Sequence, residues 1–251
     1  MFINNIVLSW EKNVDSWSPI SKEWKHAYTY LDHAENLIMH EKANFLIDSI
    51  SNLKRSIDHR MKLINKNYKI KKTSFYKNSK SVISTLSEIG IVRPIMLNNL
   101  LKLRNYLEHQ FGKPPDKERC KEFSEIVWYF LKSTDTLVMN IQDAPYLKYE
   151  FDSPYYVAFD GHPENEWNNK FSACLPIELI AEDKKDNYFK TTPSSIRKGV
   201  EILAENKKIK NDKNSFIPRT DFKDEDMIVE GKIEDNEIIQ SFIKIFFRPI
   251  F

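Results

Sequence analysis

Apolar residues recur at steps of three and four through the first 143 positions, then shift to short runs broken by turn residues. The clearest stripe is Leu46, Ile50, Leu53, Ile57, Met61 and Ile64, spaced 4, 3, 4, 4 and 3, which is one buried face of a long helix. Ahead of it, Ser21 suits an N-cap for a helix through Trp24, Tyr28 and Leu31 toward His40. A third helix is predicted from Ser81 to Ile89, closed by Gly90 as a left-handed cap. Pro94 fits the first position of a fourth, with Met96, Leu100, Leu103, Leu107 and Phe111 as its stripe and Gly112, Pro114 and Pro115 as its stop. A fifth runs from about Asp116 to Ile141, turning Phe123, Val127, Phe130, Leu137 and Ile141 inward. Helices joined by short loops predict an antiparallel bundle over residues 1–143.

Past Asp143 the runs Tyr146 to Phe151, Tyr155 to Phe159, Phe171 to Ile180, Met227 to Ile233 and Ile238 to Phe247 have strand character. Turn chemistry separates some of them, at Asp152 to Pro154, Asp160 to Gly161 and Glu182 to Asn187. Ser194 to Glu205 reads as an embedded helix, and Asn206 to Ser215 as a polar linker. The fold class is therefore α+β, a helical bundle over 1–143 and a smaller β-rich domain with an antiparallel sheet over 144–251.

Composition narrows the chemistry. With 41% apolar and 29% charged residues the chain has the balance of a soluble globular protein. Five glycines in 251 residues leave no phosphate-cradling loop of the P-loop or dinucleotide type. The first ten residues lack a basic leader, and the longest apolar run, Ile126 to Leu131, is far short of the roughly 20 residues that span a bilayer. Cys120 and Cys174 have no ligand spacing and need not pair, which fits a reducing cytoplasm. No metal or cofactor is called for.

Charge is uneven although the net value is only +2. Up to Asp143 there are 22 basic against 16 acidic residues, and from Ala144 onward 16 against 20. Between Lys54 and Lys80 stand ten basic residues and one acid, Asp58, with Tyr68, Phe75 and Tyr76 interleaved. That mixture suits a phosphate backbone with base stacking, and Lys69, Lys71 and Lys72 are its candidate nucleic-acid contacts. A solvated helix end in a lysine-rich protein gives the same pattern. Arg55 and His59, at i and i+4 on the long helix, are candidates to line one cleft with Arg104, with ordinary helix surface as the alternative.

The segment from Leu100 to Phe111 carries Arg104, Asn105 and, four residues beyond Asn105, His109. This Arg-Asn-x3-His arrangement, ending one bundle helix and followed by another long one, resembles the signature of the HEPN superfamily. The resemblance covers about Ser21 to Asp143 and nothing after it. On a regular helix five residues turn the chain by about 500°, leaving Arg104 and His109 roughly 140° apart. One copy therefore wraps a phosphate poorly, whereas two copies across a two-fold axis form a cleft, an isologous homodimer with a composite site. The family's catalytic members are thought to work in that way.

The resemblance implies a metal-independent endoribonuclease, with toxin and phage-defence effectors as common roles and an antitoxin or defence complex as partner. In the mechanism it suggests, the RNA 2′-hydroxyl attacks the adjacent phosphate in line. His109 moves protons, Arg104 stabilises charge on the phosphoryl oxygens, and Asn105 orients His109 or the phosphate. The alternative is a non-catalytic HEPN-like dimerisation or scaffold protein whose C-terminal domain binds a protein or small ligand. In that case Arg104 and Glu108 are a surface ion pair and His109 a helix-end residue. His26, His33 and His40 repeat every seven residues along one helix, about 10 Å apart and too far to chelate one ion. His162, beside the turn at Asp160 and Gly161, has no evident partner.

Overall fold

The computed structural model describes residues 1–14, 16–19, 22–40, 42–95, 97–99, 101–102, 105, 115–143, 145–159, 167, 169–201 and 223–247. They form two units, Trp17–Ile141 and Met1–Ser16 with Gln142–Phe251. The first is helical and the second is built on an antiparallel sheet, so the class is α+β.

In the helical unit, α1 (Lys25–Ile38) follows a 3-10 turn at Lys22–Trp24 and buries Ala27, Leu31, Ala34 and Ile38. The long helix α2 (Ala43–Tyr68) buries Leu46, Ile50, Leu53, Ile57 and Ile64, with Met61 half-buried. Each such side chain contributes about 1.5–3 kcal/mol on leaving water. The Ser56 hydroxyl donates to the Ala27 carbonyl at 2.8 Å, tying α2 to α1. Lys69 in the left-handed region (φ 47°) ends α2, and a 3-10 turn, Ile70–Lys72, leads to α3 (Ser74–Ser79). Tyr68, Ile70 and Phe75 are buried there. Burial removes Tyr68 and Phe75 from the base-stacking role that their interleaving with lysines predicts, and only Tyr76 stays partly open.

Helix α4 (Val82–Ile89) starts on Ser81, whose hydroxyl accepts from the Ser84 amide, and stops at Gly90 with φ 95°. An L side chain in that region costs about 1–2 kcal/mol. Gly90→Ala is therefore expected to lower the unfolding free energy by about 1 kcal/mol, measured by urea denaturation. An unchanged midpoint would mean the cap does not need glycine. Pro94 does open a helical stretch, and Leu97 and Asn105 are each helical. Its predicted stripe at Met96, Leu100, Leu103, Leu107 and Phe111 lies outside the described residues. Asp116 caps α5 (Lys117–Met139) by accepting from the Arg119 amide, and Phe123, Val127, Phe130 and Leu137 are buried as the periodicity predicts. Helices α1, α2 and α5 pack against one another.

The sheet unit starts with residues that the sequence assigns to the helical part. Strands β1 (Phe2–Asn4) and β2 (Glu11–Asn13) flank a 3-10 turn, Asn5–Ser9, and both join the sheet. A separate two-stranded sheet pairs β3 (Ser16–Pro19) with β4 (Asn140–Asp143). The remaining strands are β5 (Tyr146–Lys148), β6 (Tyr156–Phe159), β7 (Lys170–Leu175), β8 (Ile180–Ala181), β9 (Tyr188–Lys198) and β10 (Met227–Ile233). The main sheet runs β2-β5-β6-β7-β10-β9-β1-β8 with antiparallel neighbours.

Two elements differ from the sequence reading. Of the helix expected over Ser194 to Glu205, Ser194 to Lys198 belong to β9, where Ser195 to Lys198 pair with Met227 to Glu230 of β10, while Gly199 to Glu201 are helical and residues 202–205 lie outside the described ones. Ile238 to Phe247 form not a strand but most of α6 (Asn236–Phe247), with Asp235 accepting from the Glu237 amide at 2.9 Å. Its Ile and Phe content imitates a strand, yet Ile238, Phe242, Ile245 and Phe246 recur at helical spacing and are buried. Phe242 stacks on Phe159 of β6, with ring centroids 5.3 Å apart. Helix α6 thus packs on one face of the sheet, beside β5 and β6.

Candidate functional site

Of the motif residues, Arg104 and His109 lie outside the described residues. Asn105 is helical and exposed. The basic stretch, in contrast, is well defined, and its ten cations have different fates. Lys54 pairs with Asp58 one turn on, and Lys66 pairs with Glu23 of the 3-10 turn at 3.0 Å. Arg60 is fully buried and enters the core of the helical unit instead of the surface. Its guanidinium donates to the Leu131 carbonyl at 2.8 Å, the Thr134 hydroxyl at 3.1 Å and the Asp135 carboxylate at 2.9 Å. The Tyr28 hydroxyl donates to the other Asp135 oxygen at 2.7 Å. Burial first, and the Asp135 carboxylate second, raise the Tyr28 phenol above its ordinary range.

The cations left at the surface gather where α2 ends. A groove there is lined by Asp58, Met61, Lys62, Asn65, Lys71 and Val82. The Asn65 side-chain oxygen accepts from the Lys71 amide at 3.0 Å, and the Lys69 amide bonds the Asn65 carbonyl at 2.9 Å. These bonds fix the turn that presents the exposed Lys71 and Lys72, with the half-buried Lys69 between α2 and the 3-10 turn. Asp58 is neutralised by Lys54, so Lys62 and Lys71 leave the groove cationic. Arg55 is exposed one turn earlier and donates to the Asn52 side-chain oxygen at 3.4 Å.

His59 has a neighbour that the seven-residue histidine spacing does not reveal. His26 of α1 stands across from it, ring centroids 5.5 Å apart, with Tyr30 at 6.4 Å. The signal was available only through the pairing of α1 with α2, since His26 and His59 are 33 positions apart in the chain. His59 Nδ1 is buried without a hydrogen-bond partner. Burial, then His26, then Lys62 and Arg60 hold the His59 imidazole below its ordinary value, with Glu23 opposing. The unfolded chain therefore binds this proton more tightly than the folded one. Stability is expected to fall as pH drops below about 6.5 and to level off once the folded imidazole is charged. Urea denaturation from pH 7 to pH 5 checks this, with His59→Gln flattening the profile. An equal slope in wild type and variant would remove His59 as the cause.

Cys120 and Cys174 are free and buried, and burial pushes both thiols up, Cys174 to about 12. Neither is a thiolate nucleophile at neutral pH. No group of three or more His, Cys, Asp or Glu among the described residues has the geometry to hold a metal ion. No helix among them is long and apolar enough to cross a membrane.

Compared with known proteins, the chain matches no family model, no curated protein and no solved structure.

Proposed function

We propose that this protein is a metal-independent endoribonuclease of the HEPN type, acting as a homodimer with a composite site. The observation that carries the reading is the sequence motif Arg104, Asn105, His109, with Asn105 helical and the long α5 following it. The exposed side chain of Asn105 and the cationic groove at Lys62 and Lys71 agree with it, as does the exposure of Lys72 and Arg55.

RNA carries its own nucleophile in the 2′-hydroxyl. His109 takes that proton or delivers one to the departing 5′-oxygen, and Arg104 meets the charge that grows on the phosphoryl oxygens. The products are a 2′,3′-cyclic phosphate and a 5′-hydroxyl. The lysines at the end of α2 draw the RNA backbone toward the cleft, an attraction that weakens with salt. A role as toxin or defence effector, restrained by an antitoxin or a complex partner, belongs to the same proposal.

The test is cleavage of end-labelled RNAs, tRNA among them, by the purified protein in EDTA, with the termini mapped. Cutting that survives chelation and leaves cyclic phosphate is the expected result. Absence of cutting on every RNA would favour the scaffold reading. That reading has one observation of its own: Trp128, Tyr129 and Met139 are exposed on the outer face of α5, as a pairing surface requires.

A further inference from the structure

Four residues on one face of α2 line the groove near the end of that helix: Asp58, Met61, Lys62 and Asn65, at i, i+3, i+4 and i+7. Lys71, just past the left-handed turn at Lys69, and Val82 of α4 complete the lining, and the volume is about 330 Å³. Met61 and Val82 are half-buried and supply an apolar part, while Lys62 and Lys71 are exposed. Asp58 and Asn65 stand seven residues apart, about 10 Å along the helix axis.

The hydrogen-bonding capacity left in this groove is specific. Lys54 offsets the charge of Asp58 but binds only Oδ2, and among the described residues nothing donates to Oδ1. Asn65 accepts the Lys71 amide on its side-chain oxygen at 3.0 Å, which identifies the other end as the amide nitrogen, and both Nδ2 hydrogens remain. Among the described residues neither Lys62 nor Lys71 has a carboxylate within ion-pair distance. The groove therefore offers a carboxylate that only accepts, an amide that donates, an apolar surface and two cations. Of the four RNA bases, guanine alone carries two adjacent N–H donors, N1–H and the N2 amino group, beside an acceptor, O6. Adenine turns a bare ring nitrogen toward a carboxylate, and uracil and cytosine offer it one donor next to an acceptor.

We propose that this groove receives one unstacked guanine of a single RNA strand and so selects the sequence that is cut, an inference that rests on the RNA-cleavage reading. Asp58 accepts from N1–H and the N2 amino group, and Asn65 Nδ2 donates to O6. The ring lies against Met61 and Val82, where a thioether makes favourable contact with an aromatic face. Lys62 and Lys71 hold the phosphates that flank the base. A base that cannot donate twice leaves the carboxylate facing an acceptor, and that repulsion adds to the lost hydrogen bonds.

Fluorescence anisotropy of the full chain with labelled 2′-O-methyl uracil nonamers tests it, since strands without the 2′-hydroxyl nucleophile stay intact. A nonamer with guanine at its centre is expected to bind at least about tenfold tighter than one with adenine. Hypoxanthine at the centre, which lacks the amino group, should fall between them. Asp58 is partly exposed and asparagine is isosteric with it. Asp58→Asn should bring the guanine and adenine strands within about twofold of each other. Lys62→Met should instead weaken both strands alike and lower the salt dependence of binding. Equal affinity for the two strands in wild type, or a preference that survives in Asp58→Asn, overturns the proposal and leaves the RNA reading standing. Failure to bind any strand at low salt overturns both.

Discussion

Alanine in place of His109 is expected to slow RNA cleavage by about 10²–10⁴-fold, the range a positioned general acid–base group supplies. The loss should fall on the rate of the chemical step and leave RNA affinity nearly unchanged, because the proposal assigns the phosphate backbone to lysines elsewhere. Arg104→Lys should also be slow, since an ammonium keeps the charge but not the planar fork that meets two phosphoryl oxygens at once. Asn105→Ala should cost less than either, as an orienting residue rather than a proton carrier. Single-turnover rates in EDTA separate these cases, and salt titration of binding reports the lysines independently. An undiminished rate in His109→Ala would put the chemistry on other residues. The His26–His59 pair would then be the next place to look, because it holds two imidazoles together beside Lys62.

Arg60→Ala is expected to destabilise the helical unit by about 3–5 kcal/mol, the loss that follows when one partner of a buried pair is removed. The guanidinium is fully buried and bonds three groups of α5, at Leu131, Thr134 and Asp135. It also lies 5.7 Å from the centre of the Tyr28 ring. Truncation leaves the Leu131 carbonyl, the Thr134 hydroxyl and the Asp135 carboxylate short of a donor and opens a cavity. The loss should sit toward the lower end of the range, since Asp135 keeps the Tyr28 hydroxyl and has Lys132 at 3.8 Å. Replacing both partners, Arg60→Met with Asp135→Leu, should recover much of it, because no lone buried charge remains. Urea denaturation with an unchanged slope measures both. A loss below about 1 kcal/mol would show that solvent reaches the pair and screens it. Against a typical total of about 5–15 kcal/mol, the expected loss is a large share of the fold's margin.

Arg60 also shows where sequence reading stops. In the chain it is one of ten cations between Lys54 and Lys80, and nothing in that run marks it as the one that turns inward. Its partner Asp135 lies 75 positions away, so the pairing exists only after α2 and α5 have packed. The helices themselves were legible because their signals are local. The stripe of α2, the Ser81 and Gly90 caps of α4 and the Asp116 cap of α5 each lie within a few residues of what they control. Strands were legible where the turns flanking them were, as at β6, or where the run itself was β-prone, as at β10. They were not legible at β1 and β2, whose three-residue lengths are too short for alternation and whose partners are remote. In α6, β-branched composition outweighed a helical spacing that was present all along. For the site, the motif at Arg104 to His109 is read from the sequence, whereas the groove at Lys62 and Lys71 needs the turn that Lys69 makes.

The place of β1 has a consequence for how the molecule is made. Phe2 pairs with Lys190 and with Ala181, so the opening strand of the chain has partners that emerge from the ribosome nearly two hundred residues later. At about 5–20 residues per second that is a wait of roughly 10–40 s. The helical unit, whose elements lie between, has its whole sequence available well before the sheet can close. During that interval Ile3 and Val7, both buried in the finished protein, lack the neighbours that cover them.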